Sequence, residues 1–186
     1  DTGLAVTYAS NSTSVCTVSG STATIVTAGT CSITATQAGT SNYNSASETQ
    51  TFSVGLASPT LSSFADLSKT FGDASFSVTA PTSNSSGAVT YSSSDTSVAT
   101  INSTTGAVTI LAAGTTEITA TQAASGPFDS ATITADLTVA KADQIVTFTD
   151  PADMTYGDAP TVSLTATADT GLAVTYASNS TSVCTV

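Results

Sequence analysis

Three cysteines carry the most sharply defined chemistry in this sequence: Cys16, Cys31 and Cys184. Cys16 alternates with Val18, and Cys31 alternates with Ile33 and Ala35, so both thiols should face a core from neighbouring strands. A disulfide that closes a loop of about 15 residues adds about 3 kcal/mol to folding stability. Two buried free thiols are the alternative. A metal pair is disfavoured, because the chain has no His and no third Cys nearby.

Acidic side chains suggest a second chemistry, the binding of a calcium ion by about six to eight oxygen ligands. The Gly-Asp elements that contain two of these acids also have the composition of tight turns, and their spacing fits no EF-hand loop. A turn is therefore the favoured interpretation, with calcium as the alternative and no other cofactor expected. The candidate calcium ligands are Asp73, Asp158, Asp143, Asp150 and Asp153.

Composition excludes several classes of function. The 186 residues include 13 acidic side chains, two Lys or Arg and no His, for a net charge of −11. So few cations cannot neutralise nucleic-acid phosphates or bind an anionic membrane surface. No apolar run approaches the ~20 residues that a membrane-spanning helix needs. Because no His can act as a base for a Ser nucleophile, we expect no enzyme and no catalytic residues.

An internal repeat determines the domain organisation. Residues 169–186 read DTGLAVTYASNSTSVCTV, which is identical to residues 1–18. A weaker repeat of about 85 residues lies within this period, because LAVTYASNSTSVCTV at 4–18 corresponds to GAVTYSSSDTSVATI at 87–101. An insertion between the two copies, at Asn102–Gly106, predicts a hairpin tip there.

We therefore predict two homologous domains, A and B, in alternation. The predicted segments are the C-terminal part of domain A at 1–56, a complete domain B at 57–140, and the N-terminal part of the next copy of domain A at 141–186. Each partial domain should leave an open strand edge. We expect the chain to be an excerpt of a longer polypeptide, with tail-to-head complementation between chains as the alternative.

The repeat also links two of the cysteines. Cys16 and Cys31 correspond to Ala99 and Thr116 of domain B, so both cysteines are present in one domain and both are replaced in the other. This pattern predicts a Cys16–Cys31 disulfide and an oxidising compartment. Cys184 is the repeat of Cys16 and should be unpaired in this chain.

Short alternating runs predict an all-β fold. Domain B contains about seven such runs, separated by Gly, Pro, Asn, Asp or Ser, with Ser or Thr at most outward positions. No segment shows the 3.6-residue spacing of a helix. The pattern is typical of tandem immunoglobulin-like β-sandwich domains, one complete and one split between the two ends.

The run SSSDTSVATINSTTGAVTILAAGTTEITAT at 92–121 resembles the C-terminal half of bacterial immunoglobulin-like (Big) domains. The element TYGDAP at 155–160 is similar to related repeats of giant bacterial surface proteins. This resemblance implies an extended spacer in a cell-surface or secreted fibrous adhesin, with neighbouring repeats of the same polypeptide or fibre as partners. The alternatives are repeats that bind a glycan or host protein, and repeats that assemble laterally into a surface filament or coat.

Overall fold

The computed structural model describes residues 3–157 and 161–186, and every regular element in those residues is a β-strand. The all-β prediction is thereby confirmed. The chain divides into two compact units, Asp1–Ala140 and Lys141–Val186. The described part of the chain contains no helix long and apolar enough to cross a membrane.

The first five strands come from residues 1–56. They are β1 (Val6–Ser10), β2 (Cys16–Ser19), β3 (Thr22–Ile25), β4 (Gly29–Gln37) and β5 (Ala46–Val54). Antiparallel pairing gives a three-stranded sheet in the order β1-β4-β5 and a separate β2-β3 hairpin. Most side chains of β5 are exposed, and no further strand of the described residues pairs with its outer edge.

Nine strands come from residues 57–140. They are β6 (Leu61–Ser62), β7 (Leu67–Thr70), β8 (Phe76–Ser77), β9 (Thr82–Ser83), β10 (Val89–Ser93), β11 (Ala99–Ile101), β12 (Ala107–Ile110), β13 (Gly114–Gln122) and β14 (Ala131–Ala140). One sheet has the order β10-β13-β14-β7, and a second has the order β11-β12-β8, with β6 and β9 as a short pair. This central domain is a β-sandwich.

A single apolar cluster fills the central domain, contributed by both sheets. Alternation along the strands directs every second side chain into this cluster. In β13, for example, Thr116, Ile118 and Ala120 are buried while Thr115 and Glu117 are exposed. The predicted hairpin tip is confirmed between β11 and β12. There the Asn102 side chain accepts hydrogen bonds from the backbone N–H groups of Thr104 and Thr105.

The sequence predicted about seven strands in this domain, and the short pair β6-β9 and strand β7 were not among them. Both omissions have a physical reason. The pair β6-β9 is too short to produce an alternating pattern. Strand β7 has only one apolar residue, Leu67, yet it pairs in parallel with β14. Its Lys69 is half-buried, with Nζ 4.7 Å from the centre of the Phe76 ring, so a lysine stem occupies an inward position.

The C-terminal unit contains β15 (Val146–Phe148) and β16 (Ala166–Ala168), which pair antiparallel. Backbone hydrogen bonds extend this pairing, since Ile145 accepts from the N–H of Asp169 and Thr165 accepts from that of Thr149. Residues 172–186, which include the repeat of β1, form no strand in this unit.

Candidate functional site

Cys16 and Cys31 form a disulfide that joins the two sheets of residues 1–56. Cys16 begins β2 and Cys31 lies in β4, so the bond crosses between sheets rather than linking neighbours within one. Their Cα atoms are 5.7 Å apart, and both side chains are fully buried. They are the only fully buried apolar side chains in the described residues of 1–56. The disulfide is therefore the buried centre of residues 1–56.

Serine hydroxyls hold the loop between β1 and β2 around the disulfide. Ser10 Oγ donates to the carbonyl of Cys16 over 2.7 Å and lies 3.5 Å from its Sγ. Ser12 Oγ accepts from the N–H of Ser32 over 2.8 Å. These bonds tie the loop to β4, one residue from Cys31, so the backbone on both sides of the disulfide is fixed.

The central domain has a hydrogen-bonded centre at the positions that correspond to the disulfide. Ala99 and Thr116 occupy the positions of the two cysteines, and both are buried. Thr116 Oγ1 is 2.8 Å from Ser93 Oγ and 3.3 Å from Ser94 Oγ, and it accepts from the N–H of Asp95 over 2.9 Å. A hydroxyl has one donor and two acceptor sites, so these three partners saturate it. The repeat predicts the position of Thr116, but the sequence carries no signal of this network.

Asp95 caps the turn that follows this network. Its Oδ1 accepts from the hydroxyl of Ser97 over 2.6 Å and from the N–H of Ser97 over 2.9 Å. These bonds, with the side-chain bond as the larger contribution, hold the pKa of the Asp95 carboxyl below its usual range, and desolvation opposes them. The carboxylate has a structural role at this turn, and the equivalent residue of domain A is Ser12.

Cys184 is a free, exposed thiol. Its Sγ is 3.5 Å from Ser178 Oγ, which reproduces the contact between Cys16 and Ser10 at the corresponding repeat positions. The loop that contains Ser178 and Cys184 therefore keeps this one contact of the repeat although Cys184 forms no disulfide.

The candidate calcium ligands are dispersed between the two units. Asp73 closes a turn, because its Oδ2 accepts from the N–H of Thr70 over 2.9 Å while its own N–H donates to the Thr70 carbonyl. Gly72 has a φ of 96° in that turn, as the turn interpretation requires. Asp143, Asp150 and Asp153 are exposed, and Asp158 lies outside the described residues. No three acidic, Cys or His side chains within residues 3–157 and 161–186 form a metal-binding cluster.

The topology and the core define the central domain as an immunoglobulin-like β-sandwich. Residues 72–135, about a third of the chain, match the family model of the bacterial Ig-like domain (group 2). The resemblance inferred from residues 92–121 is thereby confirmed for this domain. No curated protein matches the chain.

Several solved structures show a distant likeness. Domains 1–6 of the surface layer protein SbsC share 21% identity over 77% of this chain, with a TM-score of 0.35. The EC1–3 fragment of Drosophila N-cadherin shares 14% identity over 76% of this chain, with a TM-score of 0.32. The chain spans 21% and 57% of those two structures, respectively. Such scores do not assign a common function.

Proposed function

We propose that this chain is a segment of a tandem array of Ig-like modules that acts as an extended spacer in a bacterial cell-surface or secreted fibre. The observation that carries the proposal is the identity of residues 1–18 and 169–186, which makes the sequence periodic. Periodic modules stack in one dimension, so their number sets the length of the fibre. The proposal includes a non-enzymatic role and an extracellular location.

The surface of the central domain supports a spacer. The outward positions of β13 and β14 are mostly threonine, including Thr115, Thr119, Thr132 and Thr134. Such a surface keeps the strands hydrated, and Glu117 and Asp136 are the charged residues at these outward positions. The disulfide of residues 1–56 supports an oxidising compartment outside the cytoplasm.

Length measurements on arrays test the proposal directly. Polypeptides with two, four and six consecutive copies of residues 1–168 would be compared by small-angle X-ray scattering. We expect the maximum dimension to rise linearly with copy number, as separate modules in a row require. A dimension that grows only as the cube root of mass would show a collapsed assembly and contradict the spacer role.

The same arrays separate the spacer from the two alternatives. Saturable binding to a glycan array would favour a repeat that itself holds a ligand, with avidity from its copy number. Side-by-side bundles in negative-stain images would favour a lateral filament or coat. A single thin thread that binds no glycan is the expected result for a spacer.

A further inference from the structure

We propose that the open inner face of residues 1–56 is the docking surface for residues 141–168 of a second copy of this sequence, joined directly ahead of residue 1. This inference deepens the proposed spacer function and rests on it for the order of the copies. Segment 141–168 followed by segment 1–56 is as long as segment 57–140, the central domain. The occupant therefore has the length that the central domain uses.

The face in question is apolar and uncovered in residues 1–56. Tyr8 is 44% exposed and Phe52 is 44% exposed, whereas the equivalent Tyr91 and Leu137 of the central domain are 9% and 0% exposed. In the central domain β7 pairs with β14, and β8 pairs with β12. Residues 1–56 hold no counterpart of β6–β9 among their described strands. An apolar face of this kind is typical of an interaction surface.

The duplicated segment occurs twice in the chain, and its tyrosine has different neighbours in the two places. Tyr8 and Tyr176 are the same residue of the repeat. In residues 1–56, Tyr8 pairs with Ala35 of β4. In the C-terminal unit, the Tyr176 ring lies 5.9 Å from that of Phe148, and its hydroxyl accepts from the N–H of Ala166 over 3.0 Å.

In the central domain one tyrosine has both a strand partner and an aromatic neighbour. Tyr91 pairs with Ala120 of β13 and stacks on Phe64, with 6.5 Å between ring centres. Tyr176, which has only the Phe-side contacts, is 37% exposed. Each half covers a different side of the tyrosine, and we expect the two halves together to bury it as Tyr91 is buried.

Coupled sequence differences fit the proposed pairing. In the parallel β7-β14 pair, Leu137 lies beside Leu67, and Val139 lies beside Lys69. The same register would place Phe52 beside Ala152 and Val54 beside Met154. At the first pair a larger residue on one strand thus accompanies a smaller one on the other, and at the second pair Met replaces Lys beside an unchanged Val, which approximately conserves the volume between the strands.

A second coupled difference concerns the lysine of β7. Lys69 Nζ lies over the ring of Phe76 in the central domain. The equivalent residues of the next copy are Met154 and Thr161, so the cation and its ring are replaced together. Met154 would therefore place an uncharged, apolar side chain beside Val54, where the central domain has the charged Lys69 beside Val139.

Two polar residues mark where the docked strand ends. Glu48 and Gln50 stand at the positions of Ile133 and Ala135, and Gln50 Nε2 donates to Glu48 Oε1 over 3.3 Å. In the central domain β7 pairs only with Leu137–Ala140, beyond these positions. The docked strand would accordingly cover Phe52 and Val54 and leave the Glu48 carboxylate at the solvated end.

The test extends the full chain at its N-terminus by a second copy of residues 141–168. Hydrogen exchange of Ala46–Val54, followed by mass spectrometry, reports on the covered strand. We expect exchange there to slow by about tenfold or more. The matched control carries the added segment with its sequence reversed. Equal exchange in the two extended chains would overturn the proposal.

A second measurement tests the register. In the extended chain, Ala152→Leu within the added segment should crowd Phe52, and Phe52→Leu should leave a gap beside Ala152. Each single change is expected to speed exchange of β5, and the double change, which recreates the Leu–Leu pair of the central domain, should restore it. Additive effects would overturn the pairing. If the maximum dimension of the arrays rises linearly with copy number but β5 still exchanges freely, the docking is overturned and the spacer function stands.

Discussion

Residues 1–56 and the central domain share one pattern of strand pairing and differ in burial. Val6 lies opposite Gln37 as Val89 lies opposite Gln122, and Gly29 lies opposite Val54 as Gly114 lies opposite Val139. The strands of 1–56 nevertheless bury only the disulfide fully. The local sequence thus determines register, whereas a hydrophobic core requires the opposing layer.

The two regions also differ in what occupies their common centre. A disulfide joins the sheets of residues 1–56, and Thr116 anchors the same point of the central domain through hydrogen bonds. A covalent bond constrains the unfolded chain, whereas a saturated hydroxyl gains stability only within a packed interior. The region with less apolar burial has the covalent bond.

The largest expected effect comes from truncation at equivalent positions of β14 and β5. Leu137→Ala should destabilise the central domain by about 2–5 kcal/mol, because it opens a cavity in a packed core. Phe52→Ala in the same full chain should cost about 1 kcal/mol or less, since its ring is half exposed. Urea titration with hydrogen exchange of β13 and β4 as separate readouts would measure both. Similar losses would contradict the contrast in burial.

The disulfide should have the next largest effect, confined to residues 1–56. Reduction with dithiothreitol should destabilise this region by about 3 kcal/mol, as expected for a loop of that length. The central domain should be indifferent, because it contains no cysteine. The measurement is the exchange of β4 and β13 with and without reductant, in a Cys184→Ser background that removes the free thiol. Free thiols at Cys16 and Cys31 in the oxidised protein would contradict the assignment.

Sequence reasoning predicted the features that depend on neighbouring residues in the chain. The all-β class and the hairpin tip follow from alternation and from an insertion between repeats. Strand β7 was not predicted, because Leu67 is its one apolar residue and Lys69 takes an inward position through its stem. The Thr116 network was not predicted either, because Thr116 is one threonine among many in the sequence. Only the fold brings three hydrogen-bond partners to its hydroxyl.

Loss of the Thr116 hydroxyl should have an intermediate effect. Thr116→Val keeps the shape of the side chain but leaves the N–H of Asp95 without its partner and removes one of the partners of two serine hydroxyls. We expect the central domain to lose about 1–3 kcal/mol. Thr115→Val, on the exposed face of the same strand, is the matched control and should change stability by about 0.5 kcal/mol or less. Equal effects would show that the network contributes nothing beyond strand propensity.

The smallest effect should be an acid dependence specific to the central domain. Bonds from Ser97 lower the pKa of the Asp95 carboxyl in the folded state, so its ionised form stabilises the fold more than its protonated form does. That contribution is present above the ordinary pKa of an aspartate and is lost as the pH falls through the lower, folded value. Asp95→Asn should remove this part of the acid dependence, and because the carboxylate is fully exposed the change should be small. Residues 1–56 have Ser12 at this position and should show no matching change. Hydrogen exchange of β11 and β2 across the acid range checks both, and an identical acid profile for wild type and Asp95→Asn would contradict the role of this turn.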